Sequence, residues 1–267
     1  MSEIPPRSAA RVPVTRVGPG PDDDHDWVAV EEPLEIRIEG TPFSVTMRTP
    51  GHDLELAAGF LFGEAVIEDA EDLAAIAHID DPSDPQGNTL DVRLAPGVPM
   101  LRASARARVA NSACGVCGKA AIDQIFQQVP PLDRTWWPAP ALLHRLPAAL
   151  REAQPLFAHT GGLHAAALFS PDGALEVLRE DIGRHNAVDK VIGWRVLADR
   201  LPIDDRILVV SGRAGFEIVQ KALVARIPAL ASVGAPSSLA VALAEKAGMT
   251  LIGFLRDGRY NRYAERR

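Results

Sequence analysis

The sequence has 267 residues, of which 47% are hydrophobic and 24% charged, and its formal net charge is -7. This length and composition are typical of a globular protein with a sizeable core, and they exclude wholesale disorder. The acidic excess argues against a nucleic-acid-binding protein, because such proteins neutralise phosphates with Lys and Arg. The first residues lack the apolar stretch of a secretory signal and no later run resembles a membrane span, so we expect a cytoplasmic protein without membrane contact.

The N-terminal part predicts a small β-rich subdomain. Residues 1–25 are rich in Pro, Gly and Arg and predict a flexible lead-in with at most a short strand at 11–16. Apolar and polar residues then alternate over 34–38 and 43–47 on either side of a Gly-Thr-Pro turn. This alternation predicts an antiparallel hairpin in which Phe43, Val45 and Met47 share one buried face.

Further elements continue up to a subdomain junction. The apolar spacing predicts a helix over 53–62, a strand over 90–94 and a helix over 122–129. An aromatic and Pro-rich stretch at 135–140 is the best candidate for the junction. We therefore expect an N-terminal subdomain over 26–135 and a second subdomain over 136–267.

The C-terminal half predicts an α/β fold. A helix over 141–153 is followed by a hairpin whose strands cover 164–169 and 175–179. Beyond residue 186, helix and strand patterns alternate, with strands at 207–210, 229–233 and 250–255 and helices over 188–195, 216–227 and 238–247. Such alternation favours parallel strands joined by crossover helices, so we expect an open, mixed or parallel sheet.

The two cysteines of the chain are the most informative residues for its chemistry. Cys114 and Cys117 are three positions apart, and glycines follow each of them. A disulfide that closes so short a loop stabilises little. In a reducing compartment such a pair is more often redox-active, metal-binding or catalytic. We therefore take this loop as the chemical centre, with sulfur handling as its chemistry.

Several functions remain open for the cysteine pair. A zinc site would need two further ligands. Hydrolytic deaminase chemistry is disfavoured because neither His164 nor His185 has the Glu two positions later that supplies the proton shuttle. A thioredoxin-like site fits poorly, since the pair follows a long unrelated pattern. Persulfide transfer needs a mobile, reactive thiolate, which the neighbouring glycines and Lys119 favour.

Two strand-to-helix junctions predict anion binding. They are residues 211–215 and 234–238, where small residues follow a strand and precede a helix. Backbone amides at such a junction can converge on an anion at the helix N-terminus, and an Arg adds charge. Tight turns with an N-cap Ser are an equally good interpretation. The candidate ligand-binding residues here are Ser211, Gly212, Arg213, Gly234, Ala235, Pro236, Ser237 and Ser238.

Two polar loops are further candidates. Asp181, Arg184 and His185 precede a helix and suit a heterocycle with donors and acceptors, while the alternative is a helix cap with solvated charges. His159 and His164 flank a glycine pair that lets a ligand approach the backbone, although either could be a core histidine.

The C-terminal segment is basic. Arg256 and Arg259 follow the last predicted strand, and further arginines follow them. This segment suits an anion site, and solvated tail charge is the alternative.

Six segments of the chain, in order, carry a family resemblance: residues 112–119, 160–166, 180–190, 211–217, 235–240 and 253–256. Together they resemble the FdhD-like formate dehydrogenase accessory sulfurtransferases from about Glu32 to the end. Gly215 departs from the pattern, which has a Ser there. This puts a hydroxyl contact in that loop in doubt.

The resemblance implies a sulfurtransferase that moves sulfur from a cysteine desulfurase to the bis-molybdopterin guanine dinucleotide molybdenum cofactor, before the cofactor enters formate dehydrogenase. It also implies a homodimer, a cytidine deaminase-like core, a persulfide on Cys114 assisted by Cys117, and guanine nucleotides as mimics of the cofactor. A binding and delivery chaperone without sulfur chemistry is the alternative. The implied cofactor-contacting segment consists of Phe254, Leu255, Arg256, Asp257, Gly258 and Arg259.

Overall fold

A computed structural model describes residues 7–18, 24–99, 131–132, 137–256 and 258–264. The loop with Cys114 and Cys117, the helix predicted over 122–129, Asp257, and residues 135–136 of the predicted junction lie outside the described residues.

Two small sheets form the N-terminal part. Strands β1 (Ala9–Pro13) and β2 (His25–Ala29) pair antiparallel, and β1 overlaps the short strand predicted at 11–16. The second sheet has the order β4-β3-β6-β5. Its strands are β3 (Glu32–Ile38), β4 (Thr41–Arg48), β5 (Leu73–His78) and β6 (Thr89–Leu94). The hairpin of β3 and β4 and the strand over 90–94 are confirmed, and β3 also pairs with β6 in parallel.

The prediction of one buried face for the hairpin is wrong in β4. The register shifts between Ile36 and Arg37, where Phe43 is the extra residue of a bulge. Beyond the bulge, Val45 is 63% exposed and Met47 is 47% exposed. An inserted residue reverses the alternation of a strand, so these apolar side chains face outward.

A six-stranded sheet with the order β12-β11-β10-β9-β7-β8 forms the C-terminal half. Its strands are β7 (His164–Phe169), β8 (Leu175–Asp181), β9 (Ile207–Val210), β10 (Ala229–Ser232), β11 (Thr250–Arg256) and β12 (Arg259–Ala264). Strands β9, β10 and β11 are parallel, as the alternation predicted, and the other three pair antiparallel with their neighbours. The start of the predicted basic tail is therefore an edge strand.

Helices connect and cover these sheets. They are α1 (Asp53–Gly63), α2 (Pro140–Leu143), α3 (Leu146–Glu152), α4 (Pro155–Thr160), α5 (Arg184–Leu197), α6 (Phe216–Val224) and α7 (Ser238–Ala247). The single helix predicted over 141–153 is two helices, because Pro147 lacks an amide donor and ends the first one. Within the described ranges, no helix combines the length and apolarity needed to cross a membrane.

Two apolar layers lie on opposite faces of the six-stranded sheet. The larger contains residues of α1, α5, α6, α7 and the four-stranded sheet, and the smaller contains residues of α2 and α3. Helices α1 and α5 cross so closely that a Cβ atom on Gly59 would lie 1.9 Å from the carbonyl oxygen of Asp189. A Cβ atom on Gly193 would lie 1.8 Å from the carbonyl oxygen of Glu55. These contacts fix α5, and with it the loop at its N-terminus.

Candidate functional site

The polar loops singled out in the sequence meet at the end of the six-stranded sheet where strands β9, β10 and β11 terminate. We call this end of the strands the sheet edge. Because β9, β10 and β11 are parallel, the loops that follow them emerge at the same edge. Strand β7 runs antiparallel to β9 and begins at this edge, and β8 ends there, since His164 pairs with Asp181. The topology therefore brings together segments that are far apart in the chain.

Five charged or titratable side chains form an open cluster at this edge: His164, Arg184, His185, Arg213 and Glu217. A Cβ atom on Gly212 would lie 3.3 Å from His164 Nδ1 and 3.8 Å from Arg184 Cδ, so this glycine gives both side chains room. His185 Nε2 lies 2.8 Å from Glu217 Oε2. Arg213 and Glu217 are exposed, and the other three members are partly buried.

The electrostatics of the open cluster suit an anion. Burial lowers the pKa of His164, and the positive charges of Arg184 and His185 lower it further, so this imidazole is neutral near pH 7. The hydrogen bond from His185 lowers the pKa of Glu217, which is therefore ionised. Arg184 and His185 act on the Glu217 carboxylate, and Arg213 is exposed on the neighbouring loop, so positive groups outnumber carboxylates in the cluster and suit an anionic ligand.

Asp181, predicted to contact a ligand, is instead part of a buried group. We call this group, which consists of Thr49, Asp181, Asn186 and Lys190, the anchored network. Asp181 is fully buried, and its carboxylate lies 2.7 Å from Lys190 Nζ. The same carboxylate accepts hydrogen bonds from the amide of Thr49 at 3.2 Å and from Asn186 Nδ2 at 3.0 Å. Its acceptor sites are therefore used inside the protein, which corrects the prediction of a ligand acceptor.

The anchored network joins the two sheets. Lys190 also donates to the carbonyl of Thr49 at 3.0 Å, and Asn186 Nδ2 donates to the carbonyl of Met47 at 2.7 Å. The end of β4 thus holds the start of α5, where Arg184 and His185 lie. These contacts position the open cluster.

The loop over 211–215 packs firmly on β7 and on the next loop. Ser211 Oγ accepts a hydrogen bond from the amide of Ala165 at 2.8 Å, and the Ser211 amide donates to the Ala165 carbonyl at 2.9 Å. The amide of Gly234 donates to the carbonyl of Gly212 at 3.1 Å. Arg213 projects from this fixed backbone as an exposed side chain.

For the loop over 234–238, the structure supports the interpretation as a tight turn with a helix cap. Ser237 Oγ accepts from the amide of Ala240 at 3.2 Å and caps α7, whose exposed first residue is Ser238. The Ser237 amide donates to the carbonyl of Ala214 at 3.1 Å, and Pro236 forms a parallel bridge with Ala214. The amides of Gly234 and Ser237 are thus occupied within the protein. Ala235 lies between them and is partly buried.

The end of strand β11 has an unusual backbone conformation. Phe254 has a φ of 53°, which is rare for an aromatic residue, and its amide donates to the carbonyl of Gly234 at 2.9 Å. Such strain is typical of functional sites. The Arg256 guanidinium carbon lies 5.8 Å from the centre of the Phe254 ring.

The rest of this segment divides into buried and exposed residues. Leu255 is 1% exposed and belongs to the smaller apolar layer, so its side chain does not face a ligand. Arg256 pairs with Arg259 across the turn that contains Gly258, and both arginines are exposed. The exposed arginines lie at the same sheet edge as the open cluster.

The model of the FdhD/NarQ family matches residues 29–267. The chain belongs to the FdhD/NarQ family. The resemblance found in the sequence is thereby confirmed.

Relatives within the FdhD/NarQ family cover nearly the whole chain. A protein of Mycobacterium tuberculosis named "Sulfur carrier protein FdhD" is 52% identical over 248 residues, which are 89% of this chain and 90% of that protein. A protein of the same name from Nocardia farcinica is 49% identical over 97% of this chain and 94% of its own. A crystal structure described as a formate dehydrogenase accessory protein from Desulfotalea psychrophila superposes with a TM-score of 0.72 and 28% identity, covering 96% of each chain.

The two histidines predicted to flank a ligand, His159 and His164, have different surroundings in the structure of this FdhD/NarQ chain. His159 packs against Trp27 with ring centroids 4.6 Å apart and ring planes tilted by 42°, whereas His164 belongs to the open cluster.

Among the described residues, no group of three or more His, Cys, Asp or Glu side chains could hold a metal. The zinc alternative for Cys114 and Cys117 lies outside these residues.

Sequence reasoning missed the residues that position the site. The contacts of Thr49 and Asn186 depend on tertiary structure, and the pairing of Glu217 with His185 joins two helices. Lys190 did carry a signal, because it lies beside the apolar stripe of Val188, Val191 and Ile192. A lysine so placed predicts a buried ion pair.

Proposed function

We propose that this chain is a sulfurtransferase for the maturation of formate dehydrogenase. In this proposal Cys114 carries sulfur as a persulfide from a cysteine desulfurase to the bis-molybdopterin guanine dinucleotide molybdenum cofactor, and Cys117 assists. The relatives named sulfur carrier proteins support the sulfur chemistry. The observation that carries the ligand assignment is the meeting of Arg184, His185 and Arg213 at one sheet edge.

The cofactor is the substrate in this proposal, and its nucleotide arms match the chemistry of the sheet edge. Arg213, Arg256 and Arg259 are exposed and supply guanidinium groups for phosphates. The Phe254 ring offers a face for stacking of a guanine base. Guanine nucleotides are therefore expected to bind as mimics.

The sulfur step that we propose is a thiol exchange. The Cys114 thiolate attacks the terminal sulfur of the persulfide on the desulfurase, and the desulfurase cysteine leaves as a thiolate. Cys114 then holds the persulfide until the cofactor accepts the sulfur. A cytoplasmic location, a homodimer, subdomains over 26–135 and 136–267, and a cytidine deaminase-like core complete the proposal.

A substitution at the carrier cysteine tests the proposed function. We expect Cys114→Ala to abolish formate dehydrogenase activity in cells that depend on this chain, because no thiolate remains to hold the sulfur. Thermal unfolding of the purified variant controls for folding. Full formate dehydrogenase activity with Cys114→Ala would contradict the assignment of the carrier.

Mass spectrometry separates the sulfurtransferase from a cofactor-delivery chaperone. After incubation with a cysteine desulfurase and cysteine, a sulfurtransferase gains one sulfur atom on Cys114. The Cys114→Ala variant, treated identically, should gain none. A chain that supports formate dehydrogenase without gaining sulfur would be a chaperone.

A further inference from the structure

Helices α5 and α6 begin side by side at the sheet edge, and one contact joins their first turns. His185 and Glu217 are each the second residue of their helix, and His185 Nε2 lies 2.8 Å from Glu217 Oε2. The contact links the loop after β8 to the loop after β9, which carries Arg213.

The stability of the fold does not explain this contact. The His185 side chain is 31% exposed and that of Glu217 is 64% exposed, and exposed ion pairs contribute little to the free energy of unfolding. Arg184, the preceding residue, places a positive charge in the first turn of α5, where the helix dipole is unfavourable to it.

Other charged groups surround His185. Arg184 and Asp189 lie on its own helix, His164 on β7, and Lys221 on α6. Asp189 is buried and directed to Lys221, whose Nζ lies 2.7 Å from Asp189 Oδ1. In the part of the chain that the structure describes, Glu217 is therefore the acidic side chain in direct contact with the His185 ring.

We propose that Glu217 is a positioning residue that orients the His185 ring for the anionic groups of the ligand. The inference rests on the proposed function and deepens it, because it assigns a histidine to ligand binding and names the carboxylate that directs it. The carboxylate fixes the direction of the ring through its contact with Nε2.

Binding of GDP to the full chain tests this inference. We expect Glu217→Ala to weaken GDP binding about two- to fivefold, because the His185 ring loses the acceptor that directs it. Glu217→Gln keeps an acceptor oxygen for Nε2 and should retain most of the affinity. His185→Gln should bind GDP weakly, with or without the change at Glu217.

A matched control is available on β2. Asp26 Oδ1 lies 3.6 Å from Arg16 Nη2 in another exposed ion pair, and Asp26→Ala should leave GDP binding unchanged. Unfolding midpoints of all variants should agree with the wild type. Equal GDP affinity of Glu217→Ala and wild type would overturn the inference while leaving the proposed function intact. Absence of GDP binding by the wild type would overturn both.

Discussion

The anchored network and the open cluster lie within a few residues of each other, yet their charges serve opposite purposes. Asp181 and Lys190 are buried and bound to each other, whereas Arg184 and His185, between them in the chain, are partly exposed beside Arg213. A charge that is buried must have a partner, and a charge at an open edge keeps its capacity for a ligand. Residues 181–190 therefore contain both the buried residues that position the site and the exposed residues that can bind a ligand.

The largest expected effect is the loss of the buried cation. Lys190→Met leaves the Asp181 carboxylate buried without its ion-pair partner, so we expect a loss of about 3–5 kcal/mol in the free energy of unfolding. Urea unfolding followed by circular dichroism measures it. The exposed Lys246 provides the control, since Lys246→Met should stay within about 0.5 kcal/mol of the wild type.

A double variant sharpens this prediction. Adding Asp181→Asn to Lys190→Met removes the unpaired charge and retains an acceptor for the Thr49 amide, so part of the lost stability should return. A Lys190→Met protein as stable as the wild type would show that the anchored network does not support the fold.

A smaller effect is expected from glycines at the site edge. A Cβ atom on Gly253 would lie 2.8 Å from both Pro236 Cδ and Tyr263 Cε2, so Gly253→Ala should cost about 1–3 kcal/mol through displaced loops. Apart from the chain neighbours of Gly215, no described residue has a heavy atom within 4 Å of such a Cβ atom at this position, which caps α6. Gly215→Ser should therefore change stability by only a few tenths of a kcal/mol, in the stabilising direction. Thermal unfolding of both variants measures this difference in stability. Equal losses of stability in the two variants would contradict this account of loop packing.

Much of the fold follows from local patterns in the sequence. Strand β9 and helix α7 were predicted at their observed bounds, and the α/β alternation predicted the parallel strands. The failures have physical causes: a bulge reversed the pattern at Val45 and Met47, and Pro147 divided one helix.

The candidate site was predictable as a set of motifs but not as an arrangement. The sequence singled out Arg184, His185 and Arg213 by residue type and position before helices. It could not distinguish them from Asp181, because burial and partners such as Thr49 arise from contacts between distant segments. It also could not show that Ser237 is used as a helix cap.

We propose that the sheet edge formed by β7 to β11 binds a polyanionic nucleotide ligand, and calorimetry with GDP on the full chain tests this proposal directly. Arg213 is exposed on a fixed loop, so Arg213→Gln should weaken GDP binding roughly tenfold through loss of a charge-assisted hydrogen bond, with an unchanged unfolding midpoint. Identical GDP affinity of wild type and Arg213→Gln would contradict the account.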